Sequence, residues 1–235
     1  MKVYFYNGRK QRLVGILQKQ GKKGVILSHG FNGNKESQFT FSKFLLDSGY
    51  STLGFDYSGH GESEGNLADT TLTRWVDDLN AAIDFMQKHC NDIALLGFSF
   101  GGMSSLVCSK RSRATIAIAP PSNFRKLAVH FIKTGLVKRF EKFIDFEGLN
   151  IKHTFIADSA RLDIKKIMKK ISCPILIIHG NEDDIVPLSQ SEEIIEHINE
   201  PKRLVVMNGF GHGSANEAQM GIIRKEIIAW FEKYL

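Results

Sequence analysis

Six short apolar runs, at residues 24–28, 51–55, 93–97, 114–119, 174–179 and 203–207, recur along a chain of 235 residues, with stretches of helical periodicity between them. Runs of this length without polar alternation predict strands buried on both faces. The intervening patterns at 37–48, 72–89, 101–110, 189–198 and 215–234 predict the helices that cover them. Such alternation predicts βαβ units and therefore an α/β fold: a mostly parallel sheet flanked by helices, with any site beyond the carboxyl ends of the strands. Ahead of it, two β-like runs within 2–17 flank Asn7 and Gly8, a dipeptide that favours a tight hairpin. They predict antiparallel strands at one edge.

The rhythm breaks once. After Ala119 come Pro120 and Pro121, and the next apolar run does not begin until Pro174. Within the gap Phe124, Leu127, Ala128, Phe131, Ile132, Leu136, Phe140, Phe143 and Ile144 recur at three- and four-residue spacing, which predicts an amphipathic helix, or two broken near Gly135. The expectation is one domain over 1–235 with a helical cap inserted at 120–173, lying over the carboxyl edge of the sheet.

The same segment carries the charge. The chain is +6 overall, whereas 122–172 holds twelve Lys or Arg against five Asp or Glu, so the remainder is close to neutral. A solvated helix face is the plain reading of that surplus; an anionic substrate or an acidic partner is the functional one. No zinc-finger spacing or nucleic-acid motif accompanies it, so no nucleic-acid partner is expected. A basic amphipathic stretch can also lie at a bilayer surface, but packing over a site explains the stripe more simply, and no run reaches the roughly 18 apolar residues of a membrane span. No stable membrane insertion is expected, and with no apolar leader at 1–10 the default localisation is cytoplasmic. Cys90, Cys108 and Cys173 are widely spaced and suit neither a disulfide framework nor a metal site; they read as small buried apolar residues.

The chemistry-bearing string is Gly97-Phe98-Ser99-Phe100-Gly101, directly after one apolar run and before a helical pattern. A sharp strand-to-helix turn needs glycines where side chains would clash, and leaves the serine exposed at its apex. A serine hydroxyl needs a base to remove its proton, and that base needs a carboxylate to orient it. His212, in the loop Gly209-Phe210-Gly211-His212-Gly213 after the last apolar run, is placed as the base. His60 could line the pocket but precedes the serine, His29 and His179 each end a strand before glycine and read as structural, and His89, His130, His153 and His197 lack a site context. The acid belongs to the loop after 174–179, where Glu182, Asp183 and Asp184 are all chemically eligible. Oxyanion donors are expected from the backbone N–H of Phe100 and from the loop His29-Gly30-Phe31, with Phe31 as the second donor.

Four stretches, His29-Gly30-Phe31, 97–101, 179–187 and Gly211-His212, together resemble the α/β-hydrolase superfamily over about 22–235. The resemblance implies Asp183 as the catalytic acid, because the aspartate of the superfamily pattern HGxxDxxVP falls there. It extends to 55–63, similar to the loop after the second central strand, and points to small capped esterases of the cinnamoyl-esterase-like and serine-aminopeptidase-like branch. The implied reaction is hydrolysis of a carboxylic ester through an acyl-enzyme, requiring no metal and no organic cofactor. An acyl thioesterase with the same triad is the alternative; an amide hydrolase and a non-catalytic binding protein stand behind it. The expected partner is a small-molecule ester, with an aromatic or acyl group and in some versions an anionic one. Five phenylalanines of the cap, Phe124, Phe131, Phe140, Phe143 and Phe146, are candidate pocket residues, most of them expected in the core.

Overall fold

Strands at the amino terminus set one edge of the sheet. In the computed structural model, which describes residues 1–135, 137–139, 143–146, 149–199 and 201–235, β1 (Lys2–Tyr6) pairs antiparallel with β2 (Arg12–Gln18). The connection is longer than a two-residue turn. Asn7 Oδ1 accepts from the backbone N–H of Arg9 and Gln11, and Lys10 takes a φ of 60°.

Then follow β3 (Lys23–Ser28), α1 (Phe39–Asp47), β4 (Ser51–Phe55), α2 (Leu72–Met86), β5 (Asp92–Phe98), α3 (Phe100–Cys108) and β6 (Ala114–Ile118). The strands β4 and β6 are buried at every position, which is why they read as unbroken apolar runs. Helix α2 starts where the Thr71 side chain accepts from the Arg74 N–H, a side-chain cap that satisfies one of the orphan donors of the first turn.

The segment after β6 departs from the expected helical cap. It begins with α4 (Phe124–Thr134), capped by Asn123, whose side chain accepts from Lys126 N–H. At Gly135 the backbone turns to φ 77° and the helix stops. Instead of a second helix come β7 (Val137–Arg139), β8 (Phe143–Phe146) and β9 (Leu149–Lys152), an antiparallel three-stranded sheet. Phe143 and Ile144, counted on the helical stripe, are strand positions paired with Lys152 and Ile151; Leu136 and Phe140 lie outside the described residues. Aromatic and β-branched residues suit a pleated surface as well as a helical stripe, so spacing over so short a run did not separate the two. Helices α5 (Thr154–Arg161) and α6 (Ile164–Met168) return the chain to β10 (Ile175–Gly180), α7 (Ser189–His197), β11 (Lys202–Met207) and α8 (Glu217–Tyr234).

The main sheet has eight strands in the order β1-β2-β4-β3-β5-β6-β10-β11, parallel from β4 onward. One face packs against α2, α3 and α7 through Trp75, Leu79, Met103 and Ile194; the other against α1 and α8 through Phe44, Leu45, Ile227 and Phe231. Because β3 lies between β4 and β5, the chain leaves β3 to one side and later returns on its other side. The connections that leave the paired carboxyl ends of β3 and β5 therefore run to opposite sides and open a crevice there. Among the described residues no helix is long and apolar enough to cross a membrane.

Candidate active site

Ser99 sits at the end of β5 with φ 52° and ψ −119°, a region that non-glycine residues enter only when the surroundings impose it. Its neighbours show why. A Cβ on Gly97 would lie 2.2 Å from the Gly101 carbonyl oxygen, and one on Gly101 would lie 2.4 Å from the carbonyl oxygens of Ser28 and His29. The turn from β5 into α3 is thus pressed against the adjoining strand, and only glycine fits on either side. Ser99 N–H is held by the Ile118 carbonyl at 2.7 Å, and the residue is 8% exposed.

His212, from the loop between β11 and α8, places Nε2 3.0 Å from Ser99 Oγ and Nδ1 2.7 Å from Asp183 Oδ2. With Nδ1–H donated to the carboxylate, the Nε2 lone pair faces the serine hydroxyl. Of the three acids in the loop after β10, Asp183 alone is buried; Glu182 and Asp184 are exposed. Asp183 Oδ1 accepts from the backbone N–H of Ile185 and Val186 at 3.0 and 2.7 Å. Burial by itself would raise its pKa, yet the hydrogen bonds from His179 and His212, electrostatic attraction to the His212 ring and the Val186 N–H together hold the carboxyl well below the usual carboxylate range. Chemistry alone leaves the three acids equal and the family resemblance singles out Asp183; the structure brings Asp183 to the histidine.

Behind this chain stand three histidines whose contacts the sequence did not disclose. His179 Nε2 lies 2.8 Å from the Val186 carbonyl and 3.3 Å from Asp183 Oδ2, so Nε2 carries the proton and Nδ1 accepts from Ser191 Oγ at 2.6 Å. His29 Nδ1 donates to the Gly30 carbonyl at 2.7 Å, and its Nε2 accepts the Tyr57 N–H at 3.2 Å. That carbonyl also accepts from Gly33 N–H at 3.0 Å. Since a trans peptide points its N–H opposite its C=O, these two bonds fix the direction of the Phe31 N–H. His60 Nε2 lies 2.8 Å from the next carbonyl, that of Phe31. Phe100 is the first residue of α3, where a helix leaves its N–H without an intrahelical acceptor.

A cavity of about 880 Å³ opens above Ser99. Its wall is aromatic and aliphatic: Phe31 from the loop after β3, Phe98 at the end of β5, Phe100 at the start of α3, Phe124, Leu127 and Phe131 from α4, Phe155 and Ile156 from α5. Phe155 stacks on Phe100 with centroids 4.9 Å apart; no sequence signal set it apart from an ordinary helical position. Of the five cap phenylalanines, Phe124 and Phe131 line the cavity, Phe140 lies outside the described residues, and Phe143 and Phe146 are backbone positions of β8. His130 Nε2 on α4 donates to the Asp184 carbonyl at 2.6 Å, tying the inserted segment to the loop that carries Asp183.

An eight-stranded, mostly parallel sheet with a strained serine at one strand end, a histidine loop and an acid loop at two others defines the α/β-hydrolase fold. The chain belongs to the family described as serine aminopeptidase, S33, whose model matches residues 19–146 and 151–219. The mitochondrial palmitoyl-protein thioesterase ABHD10 of Pongo abelii is 28% identical over 192 residues, covering 74% of this chain and 61% of that protein. The chain thus spans about three fifths of the length of that relative. A thermostable monoacylglycerol lipase of Bacillus sp. (strain H-257) is 23% identical over 232 residues, 91% of this chain and 92% of the lipase. Among solved structures, Est1E from Butyrivibrio proteoclasticus with ferulic acid bound superposes with a TM-score of 0.86 at 22% identity, covering 99% of both chains. These similarities place the chain in a hydrolase family whose relatives include a palmitoyl-protein thioesterase and a monoacylglycerol lipase.

Proposed function

We propose that this chain is a serine hydrolase that cleaves carboxylic esters of apolar acyl groups through an acyl-enzyme intermediate. The observation that carries the reading is the continuous hydrogen-bonded chain from Ser99 Oγ through His212 to Asp183, set at the floor of an apolar cavity. In the proposed reaction Ser99 Oγ attacks the ester carbonyl while His212 Nε2 accepts its proton, and Asp183 stabilises the imidazolium and its orientation. The oxyanion is received by the N–H groups of Phe31 and Phe100, each such donor being worth about 3 kcal/mol in the transition state. His212 then returns the proton to the leaving oxygen. Water activated by the same nitrogen releases the acid, and nothing in the sequence of steps calls for a metal or organic cofactor.

Thioester hydrolysis is the second reading, favoured by the relatives named as palmitoyl-protein thioesterases. It uses the same residues and differs in the leaving group. The test is steady-state hydrolysis of p-nitrophenyl esters of graded acyl length beside a matched thioester series, by the wild type and Ser99→Ala. The expected result is turnover that rises with acyl length and falls by at least about 10³-fold in Ser99→Ala. Equal rates in the two proteins would remove Ser99 as the nucleophile.

A further inference from the structure

The cavity above Ser99 is lined by a single permanently charged side chain, Arg125, and by no carboxylate among the described residues. Arg125 is exposed and lies on the first turn of α4, beside Lys126 and with no acid in that turn. A helix amino terminus favours carboxylates and disfavours cations, so the charge of this guanidinium gains nothing from the α4 dipole.

It is also unengaged. Every arginine outside 122–172 has a partner: six meet a carboxylate and Arg224 lies over the Phe44 ring. Arg125 makes no ion pair, side-chain hydrogen bond or ring contact among the described residues. The acid on the neighbouring α5, Asp158, is turned to Thr73, accepting from its N–H at 3.0 Å and its hydroxyl at 2.7 Å. An apolar cavity with one unanswered guanidinium at its wall complements an amphiphile: an apolar body with an anion at one end. A planar guanidinium matches carboxylate and phosphate oxygens with two parallel N–H donors.

We infer that Arg125 is an anion-recognition residue of this cavity, and that the substrate is an apolar ester or thioester bearing a carboxylate or phosphate remote from the scissile carbonyl. The inference rests on the hydrolase reading for the word substrate, but the anion site itself is tested without turnover. Matched amphiphiles, decyl phosphate, decanoate and decanol, are titrated calorimetrically into the Ser99→Ala protein at low ionic strength, with and without Arg125→Gln. Because the guanidinium is exposed and screened, the expected preference is modest: at least one of the two anions binds about threefold or more tightly than decanol. Arg125→Gln abolishes the difference, Arg125→Lys retains part of it, and added salt shrinks it. Whichever of decanoate and decyl phosphate shows the larger preference identifies the anion. Equal binding of all three amphiphiles, or a preference that survives Arg125→Gln, overturns the assignment. Ester turnover is measured separately: inert esters with Arg125-dependent anion binding would remove the hydrolase reading and leave the anion site, whereas active esters without that binding would do the reverse.

Discussion

The Nε2 of His60 lies 2.8 Å from the carbonyl oxygen of Phe31, and the two rings meet edge to face at 88°. Together with His29 on the Gly30 carbonyl, this places a buried imidazole against each carbonyl flanking the proposed Phe31 oxyanion donor. The proposed donor is thus held from both sides by buried side chains.

Loss of that hold should appear in the transition state and not in binding. His60→Ala is expected to lower kcat by ~10- to 100-fold, a part of the cost of deleting an oxyanion donor outright, with KM little changed. Affinity for a trifluoromethyl ketone should weaken in parallel with kcat. A rise in KM alone would mean that His60 shapes the pocket and not the oxyanion loop.

The same two histidines make stability depend on pH. Burial, with His60 beside it, pushes the pKa of His29 down to about 3, and burial also lowers that of His60. Their imidazoles are therefore neutral in the native state where the unfolded chain would protonate them. The unfolded state binds more protons between about pH 3 and the usual histidine value near 6.5. Stability is fully present above that value and is lost as pH falls through the window. Urea midpoints measured from pH 8 to pH 4 should decline below about 6.5, with a shallower decline in His29→Gln, whose midpoint at pH 8 is already lower.

Gly101 is a sharper structural test. A methyl group there would meet backbone carbonyl oxygens at 2.4 Å, and backbone cannot rotate away as a side chain can. Gly101→Ala is expected to cost more than the ~1–3 kcal/mol of ordinary overpacking, read as a lower urea midpoint, and to displace Ser99 enough to abolish turnover. Normal stability and activity would show that the turn is free to relax.

Asp183→Asn keeps the shape of the loop but replaces an acceptor that fixes the His212 tautomer. An amide can present its NH2 group to Nδ1 and so favour the tautomer whose Nε2–H cannot accept the serine proton; kcat is expected to fall by ~10⁴-fold. Glu182→Gln and Asp184→Asn, changes at exposed positions, should leave kcat within about twofold. A comparable loss in either would reassign the acid.

The sheet was legible because strands buried on both faces must be written as apolar runs, and the observed β3, β4, β5, β6, β10 and β11 lie within two residues of those runs. Ser99, His212 and the acid loop were legible because each follows such a run in a fixed order. The contact between His60 and Phe31 was not, since it joins residues 29 apart in the chain through loop geometry that no periodicity encodes. The β7 to β9 sheet was missed for a different reason. Its aromatic and aliphatic residues satisfy a helical stripe and a strand equally, and the left-handed turn at Gly135 decides where the helix ends.

An organophosphonate that reacts with activated serines, followed by peptide mass spectrometry, asks whether Ser99 is the activated nucleophile before any substrate is known. The expected result is one stoichiometric adduct on the peptide containing Ser99, absent in Ser99→Ala and slowed by ~10³-fold or more in His212→Ala. No adduct on the folded wild type, or an adduct that persists in Ser99→Ala, would contradict the proposed chemistry.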